Sequence, residues 1–300
     1  MTQVHRVMSK KQHSYQLEIL GEIAKGGQAQ VLLARAQNGD LVAIKYFYDR
    51  VVFEQEAHCL SQIDHILIAR FLGILDSTNS QGLIIEYVLG ANFATLQDIM
   101  LKKSFALSNN LLLYFMQQIL EILAYLESIS IVHSDIAAEN ILVSSNGLLK
   151  LCDFGAAHGS FSGGFWPKPF GRQDFLAPEI IAGESSSRWS DLYALGAVLF
   201  EILMHRRFRP AHKDADLGSL RVRLQAAPQA LYYLLSACLS QSPWQRPTSA
   251  AIARLRLPRL DSLDLIRVQQ ELGHWVEHVP VQLTLPAHKY YVDFFPRDSF

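Results

Sequence analysis

The feature that most constrains this chain is a pair of β-like runs, Gln30 to Ala36 and Leu41 to Phe47, joined across Asn38-Gly39-Asp40. Asn and Gly tolerate the left-handed backbone of a tight turn, so these runs read as a hairpin. A third run, Tyr15 to Ile23, precedes them. Phe53, Ala57 and Leu60 then recur at helical spacing, and apolar runs follow at 71–75 and 83–88. From Leu96 onward the pattern is mainly helical, with long amphipathic segments at Leu111–Leu126 and Ser190–Met204. The expected fold class is α+β: a small β-rich lobe over 15–88 and a larger helical lobe over 89–255, joined near Val88–Asn92. Residues 1–14 form an extension. Residues 256–300 form a tail with a helix around Asp261–Leu272 and an irregular aromatic end, KYYVDFFPRDSF.

Composition narrows the function. Half of the 300 residues are hydrophobic and 18% are charged, which fits a globular core and argues against disorder. With 27 basic against 28 acidic residues, the basic excess that nucleic acid or an anionic membrane calls for is absent. Three distant cysteines offer no zinc spacing and fit a reducing environment. The start lacks the apolar core of a signal peptide, and LYALGAVLFEILM is shorter than the ~20 residues of a membrane span. Residues 156–175, rich in Gly and Pro and without a period, read as a functional loop or a disordered one.

Lys45 ends the VAIK run at 42–45. Glu56 falls in phase with Leu60 on the core side of a helix, where a charge is costly unless paired, and Lys45 is its expected partner. Asp153, in CDFG at 152–155, sits at a strand end beside a Gly and suits a divalent cation held by oxygen. HSDIAAEN at 133–140 adds Asp135 and Asn140 between two apolar runs. Turn capping accounts for any one of these residues alone. The ordered set points instead to a magnesium and phosphate site.

Together these motifs resemble a eukaryotic-type (Hanks-type) protein kinase domain over roughly residues 15 to 255: VAIK, a helical Glu, H-x-D, DFG, APE at 177–179, SDLYALG at 190–196 and PWQRPT at 243–248. The resemblance implies roles. Lys45 would bind the α- and β-phosphates and pair with Glu56. Asp153 and Asn140 would hold Mg2+ (or Mn2+), and Asp135 would accept the proton of the acceptor hydroxyl. The phosphate loop would include Ala24, Gly26 and Gly27. Glu86, Tyr87 and Val88 would be the hinge that binds adenine by its backbone, while Val31, Ala43 and Leu142 would enclose the ring. Leu60, Phe71, His133 and Phe154 would form an apolar stack, with Gly155 completing DFG. Asp191 would anchor the catalytic loop, and Glu179 would pair with Arg246.

The chain departs from the family pattern at several points. AKGGQAQV at 24–31 stands where the family has GxGxxGxV, with Ala24 and Ala29 in the outer glycine positions. Ala hinders close backbone approach, so weaker phosphate binding is one expectation. Ser134 occupies the Arg position before the catalytic Asp, so loop phosphorylation is not needed as the ordering switch. Ala137 stands where a Ser/Thr kinase has Lys, and Glu139 where a tyrosine kinase has Arg. In GRQDFLAPE at 171–179, Arg172 replaces a Thr. Its guanidinium either fills the place of the missing Lys or faces solvent or an acidic substrate residue.

The resulting expectation is an ATP- and Mg2+-dependent protein kinase acting on Ser/Thr more than Tyr, with protein substrates, no nucleic acid and no membrane span. Two alternatives stand beside it: a nucleotide-binding pseudokinase or scaffold, and a small-molecule phosphotransferase. A cytoplasmic signalling enzyme and a bacterial protein delivered into a host cell both fit.

Overall fold

The computed structural model describes residues 15–77, 80–103, 105, 107–159, 176–205, 213–279 and 291–296. Arg172 and Gly171 lie outside this set. The chain divides into two compact units. One comprises the residues up to Phe53, Phe71–Tyr87 and the C-terminal strand; the other comprises Glu54–Arg70 and Val88–Val281.

The first unit is built of β1 (Tyr15–Lys25), β2 (Ala29–Ala36), β3 (Leu41–Phe47), β4 (Phe71–Ser77), β5 (Ser80–Glu86) and a final strand, β11 (Tyr291–Pro296). All neighbours are antiparallel, and they close a barrel in the order β1-β11-β4-β5-β3-β2. The hairpin at 38–40 is held locally: the Asp40 N–H donates to Asn38 Oδ1 at 3.1 Å, and Gly39 takes φ +91°. Leu17, Ile19, Leu32, Ala34, Val42, Ile44, Leu75 and Ile84 fill the interior. Strand alternation therefore turns Val31, Ala43, Lys45 and Ile85 to the opposite face of the sheet.

The second unit holds most of the helix α1 (Arg50–Ser61), followed by β6 (Gly90–Asn92), α2 (Phe93–Lys102) and α3 (Asn109–Ser128). Next come β7 (Ile131–Val132), β8 (Ile141–Ser144), β9 (Leu149–Leu151) and β10 (His158–Gly159). The rest is helical: α4 (Pro178–Ile181), α5 (Arg188–Met204), α6 (Lys213–Arg223), α7 (Gln229–Cys238), α8 (Ala250–Leu255) and α9 (Ser262–Glu277). Ser108 caps α3 by accepting the Leu111 N–H at 3.1 Å. Helix α5, expected to be amphipathic, is instead buried on nearly every side, because apolar residues occupy almost all of its positions from Leu192 to Leu203.

Two expectations are corrected here. The patternless stretch from 156 begins with a strand, β10, paired to β7 through His158↔Val132. The aromatic end is not irregular, since 291–296 is a barrel strand. The tail helix runs on to Glu277 and packs closely on the turn between β8 and β9. A Cβ on Gly147 would overlap the Gln269 carbonyl, and one on Gly273 would lie 2.6 Å from the Ser145 oxygen. Only glycine permits this approach.

Candidate active site

Asp135 lies in the loop between β7 and a 3-10 turn at Ala138–Asn140. The Asn140 amide donates to Asp135 twice, to its main-chain oxygen at 2.9 Å and to its carboxylate at 2.8 Å. That spends the amide nitrogen and leaves the Asn140 carbonyl oxygen as the atom to offer a cation. From the helical side, both carboxylate oxygens of Asp191 accept backbone N–H groups, those of His133 and Ser134, each at 2.8 Å. Burial pushes the Asp191 carboxyl up to about 7, against these two donors, which pull it down. Ser134 is held at φ +65°, a left-handed conformation costly for a residue with a side chain, and the two Asp191 bonds support that turn.

Ser134 also belongs to a relay absent from the sequence reading. Its hydroxyl lies 2.8 Å from that of Ser186, which lies 2.6 Å from His158 Nε2. His158 Nδ1 faces the Gly159 carbonyl at 3.2 Å, so Nδ1 carries a proton. A chain of three side chains thus meets the 133–140 loop where the family has Arg. Ser186→Ala removes both bonds and is expected to cost about 1–2 kcal/mol in urea unfolding, with Ser186→Thr recovering most of it.

Asp153 follows β9, is exposed and also has a left-handed backbone, at φ +64°. Its carboxylate accepts the Gly155 N–H at 3.2 Å. The Asn140 main-chain oxygen accepts from Cys152 N at 2.9 Å and lies 3.3 Å from its Sγ, so Asn140 adjoins the residue before Asp153. Phe154 is buried, edge-on to the His133 ring at 4.7 Å. An exposed carboxylate and an amide oxygen are hard donors that suit Mg2+, with phosphate oxygens completing its shell. Among the described residues no group of three or more His, Cys, Asp or Glu forms a metal cage. Glu139 lines a cavity of about 260 Å³ together with Asp98, Glu201 and His205. Ala137 is buried, so its position offers no cation.

In the barrel unit, Val31 pairs with Lys45, and Ala43 with Ile85, all on the face opposite the core. The Lys45 ammonium lies 5.2 Å from the Phe47 ring centroid. Ala24, Gly26 and Gly27 at the β1–β2 turn are exposed. Added side-chain carbons on Gly26 and Gly27 would meet at most Ala29 O, at 3.7 Å, so the chain's own packing demands glycine at neither, and the space stays open to a phosphate. Glu86 ends β5, partly buried and paired with Val42. In the helical unit, Glu56 is fully buried on α1 close to Leu60, Val88 follows the junction at Tyr87, and Leu142 lies on β8.

Arg246 and Glu179 form a buried fork, with N–O distances of 2.6 and 2.8 Å. The guanidinium also donates to the carbonyls of Ser240 at 2.9 Å, Trp189 at 2.9 Å and Gln241 at 3.3 Å, and it covers the Tyr193 ring at 4.9 Å.

The protein kinase domain family model matches residues 17–256, and the chain belongs to that family. It is similar to a probable serine/threonine-protein kinase of Dictyostelium discoideum, 28% identical over 208 residues, covering 67% of this chain and 22% of that protein. It is equally similar, at 28% over 224 residues, to mitogen-activated protein kinase kinase kinase A of the same organism, covering 71% and 23%. The chain thus spans less than a quarter of the length of these relatives. Among the described residues no helix is long and apolar enough to cross a membrane.

Proposed function

We propose that this protein is an ATP- and magnesium-dependent kinase that phosphorylates Ser or Thr hydroxyls of protein substrates. The observation that carries this reading is the Asp135–Asn140–Asp191 network, which fixes a carboxylate on a loop whose backbone is locked from the helical side. Lys45 binds the α- and β-phosphates. The family order of the motifs assigns Val31, Ala43 and Leu142 to adenine, and the backbone of Glu86 and Val88 to its edge. Asp153 and Asn140 hold the metal. Magnesium, when bound, neutralises charge that develops on the phosphate oxygens.

Asp135 orients the substrate hydroxyl and takes its proton as the oxygen bonds to the γ-phosphorus and the bond to the ADP oxygen breaks. The Ser134–Ser186–His158 relay holds the loop in place of a phosphate-dependent Arg. The Ser/Thr preference rests on the GRQDFLAPE segment and on the similarity to a probable serine/threonine-protein kinase. Three free cysteines fit a cytoplasmic setting, in the cell of origin or in a host.

Incubation with γ-labelled ATP and Mg2+ or Mn2+ is expected to label protein substrate or the chain itself in wild type, with less than about 1% of that label in Asp153→Ala. Phosphoamino-acid analysis is expected to return phosphoserine or phosphothreonine. A folded wild type that binds nucleotide with metal yet transfers no label would sink this reading in favour of a pseudokinase, which Ala24, Ala29 and Ala137 would then explain.

A further inference from the structure

The family match ends at residue 256, yet the barrel is closed by a strand drawn from 291–296. Strand β11 lies between β1 and β4, which do not pair with each other. On one side Tyr15, Gln16, Leu17 and Glu18 oppose Phe294, Asp293, Val292 and Tyr291. On the other, Ile74 and Gly73 oppose Phe295 and Pro296. Each flanking strand has its second partner elsewhere, β2 for β1 and β5 for β4. Without β11 both would present open edges, an arrangement that invites another strand. The gap would also lie beside Leu17 and Leu75, which are 0% and 6% exposed and belong to the barrel core. Pro296 has no N–H to give, which suits the last residue of the ladder.

We infer that the slot between β1 and β4 is a strand-acceptor site whose ligand is an extended peptide, and that residues 291–296 of the same chain are its occupant. Main-chain hydrogen bonds on two sides supply the binding, as in other cases of strand addition. The tail is therefore a strap with two anchors. Helix α9 is seated on the β8–β9 turn through Gly147 and Gly273, and β11 is seated in the barrel. Because β1 runs on from the acceptor segment into the turn at Gly26, occupancy of the slot also bears on the phosphate loop.

Register provides the test in the full-length chain. Gln16 and Asp293 are direct partners, so the double variant Gln16→Cys, Asp293→Cys is expected to form an intramolecular disulfide under mild oxidation. The shifted pair Gln16→Cys, Tyr291→Cys is expected to form at least about tenfold less. In wild type, ladder amides within 15–18 and 73–74 are expected to exchange at least about 100-fold more slowly than open-edge amides. Val292→Pro is expected to remove that protection while leaving α5 protected, and a synthetic peptide of residues 290–297 is expected to restore it saturably. Cross-links that form only between molecules, or equally in both registers, would overturn the assignment to the same chain. Open-edge exchange in wild type would overturn the slot. Failure of the peptide to protect a folded Val292→Pro chain would overturn the acceptor role. Should that variant not fold, the cross-link and wild-type exchange still decide.

Discussion

Arg246→Ala is expected to destabilise the helical unit by about 3–5 kcal/mol in denaturant unfolding. Arg246 has five N–H donors, and the structure matches them to five oxygens: two from Glu179 and one each from Ser240, Trp189 and Gln241. Truncation strands the Glu179 carboxylate in a site where it is 8% exposed and removes the partners of three carbonyls. The cost comes from leaving a buried charge without its counter-ion, more than from the attraction of the pair itself. Two controls follow. Arg246→Lys keeps the charge but not the fork, and is expected to recover only part of the loss. Replacing both partners together, as in Glu179→Leu with Arg246→Met, is expected to cost less than Arg246→Ala alone. If the double change proves the worse of the two, the isolated-charge account fails.

The second large effect concerns turnover. Asp135→Asn is expected to lower kcat roughly 10²–10⁴-fold, the usual contribution of a positioned general base, with nucleotide affinity nearly unchanged. The amide keeps the size of the carboxylate and its place beside Asn140, where an acceptor oxygen faces the Asn140 nitrogen at 2.8 Å. It cannot take a proton. Steady-state kinetics together with nucleotide binding separate the cases. A fall in affinity with kcat intact would move Asp135 from proton transfer to nucleotide binding. The contrast with Asp153→Ala is informative, because that change removes a hard oxygen ligand and is expected to weaken metal-dependent nucleotide binding.

What could be read locally along the chain concerns elements and chemistry. The hairpin at 38–40 follows from residues adjacent in sequence, and so does the apolar phase of α3. Asp135, Asn140 and Asp153 stand out because polar residues between apolar runs are costly unless they serve a site. The family order of the motifs then assigned them roles. Arg172, which that reading made a candidate cation, lies outside the described residues.

Tertiary structure alone decided the pairings. Ser134, Ser186 and His158 are 24 to 52 positions apart, and neither Ser nor His carries a periodic or charge signal that would link them. Only the β7–β10 ladder and the start of α5 bring the three together. Which strands the aromatic end of the chain joins was likewise not legible in its residues. A strand's partner depends on which edges remain open after the rest of the sheet has formed, and β1 and β4 become such edges only in the folded barrel. Local propensity and spacing therefore determined most of the elements and marked out the candidate residues for chemistry. Long-range closure decided which segments meet, because hydrogen-bond and packing partners are chosen by geometry that no stretch of sequence contains by itself.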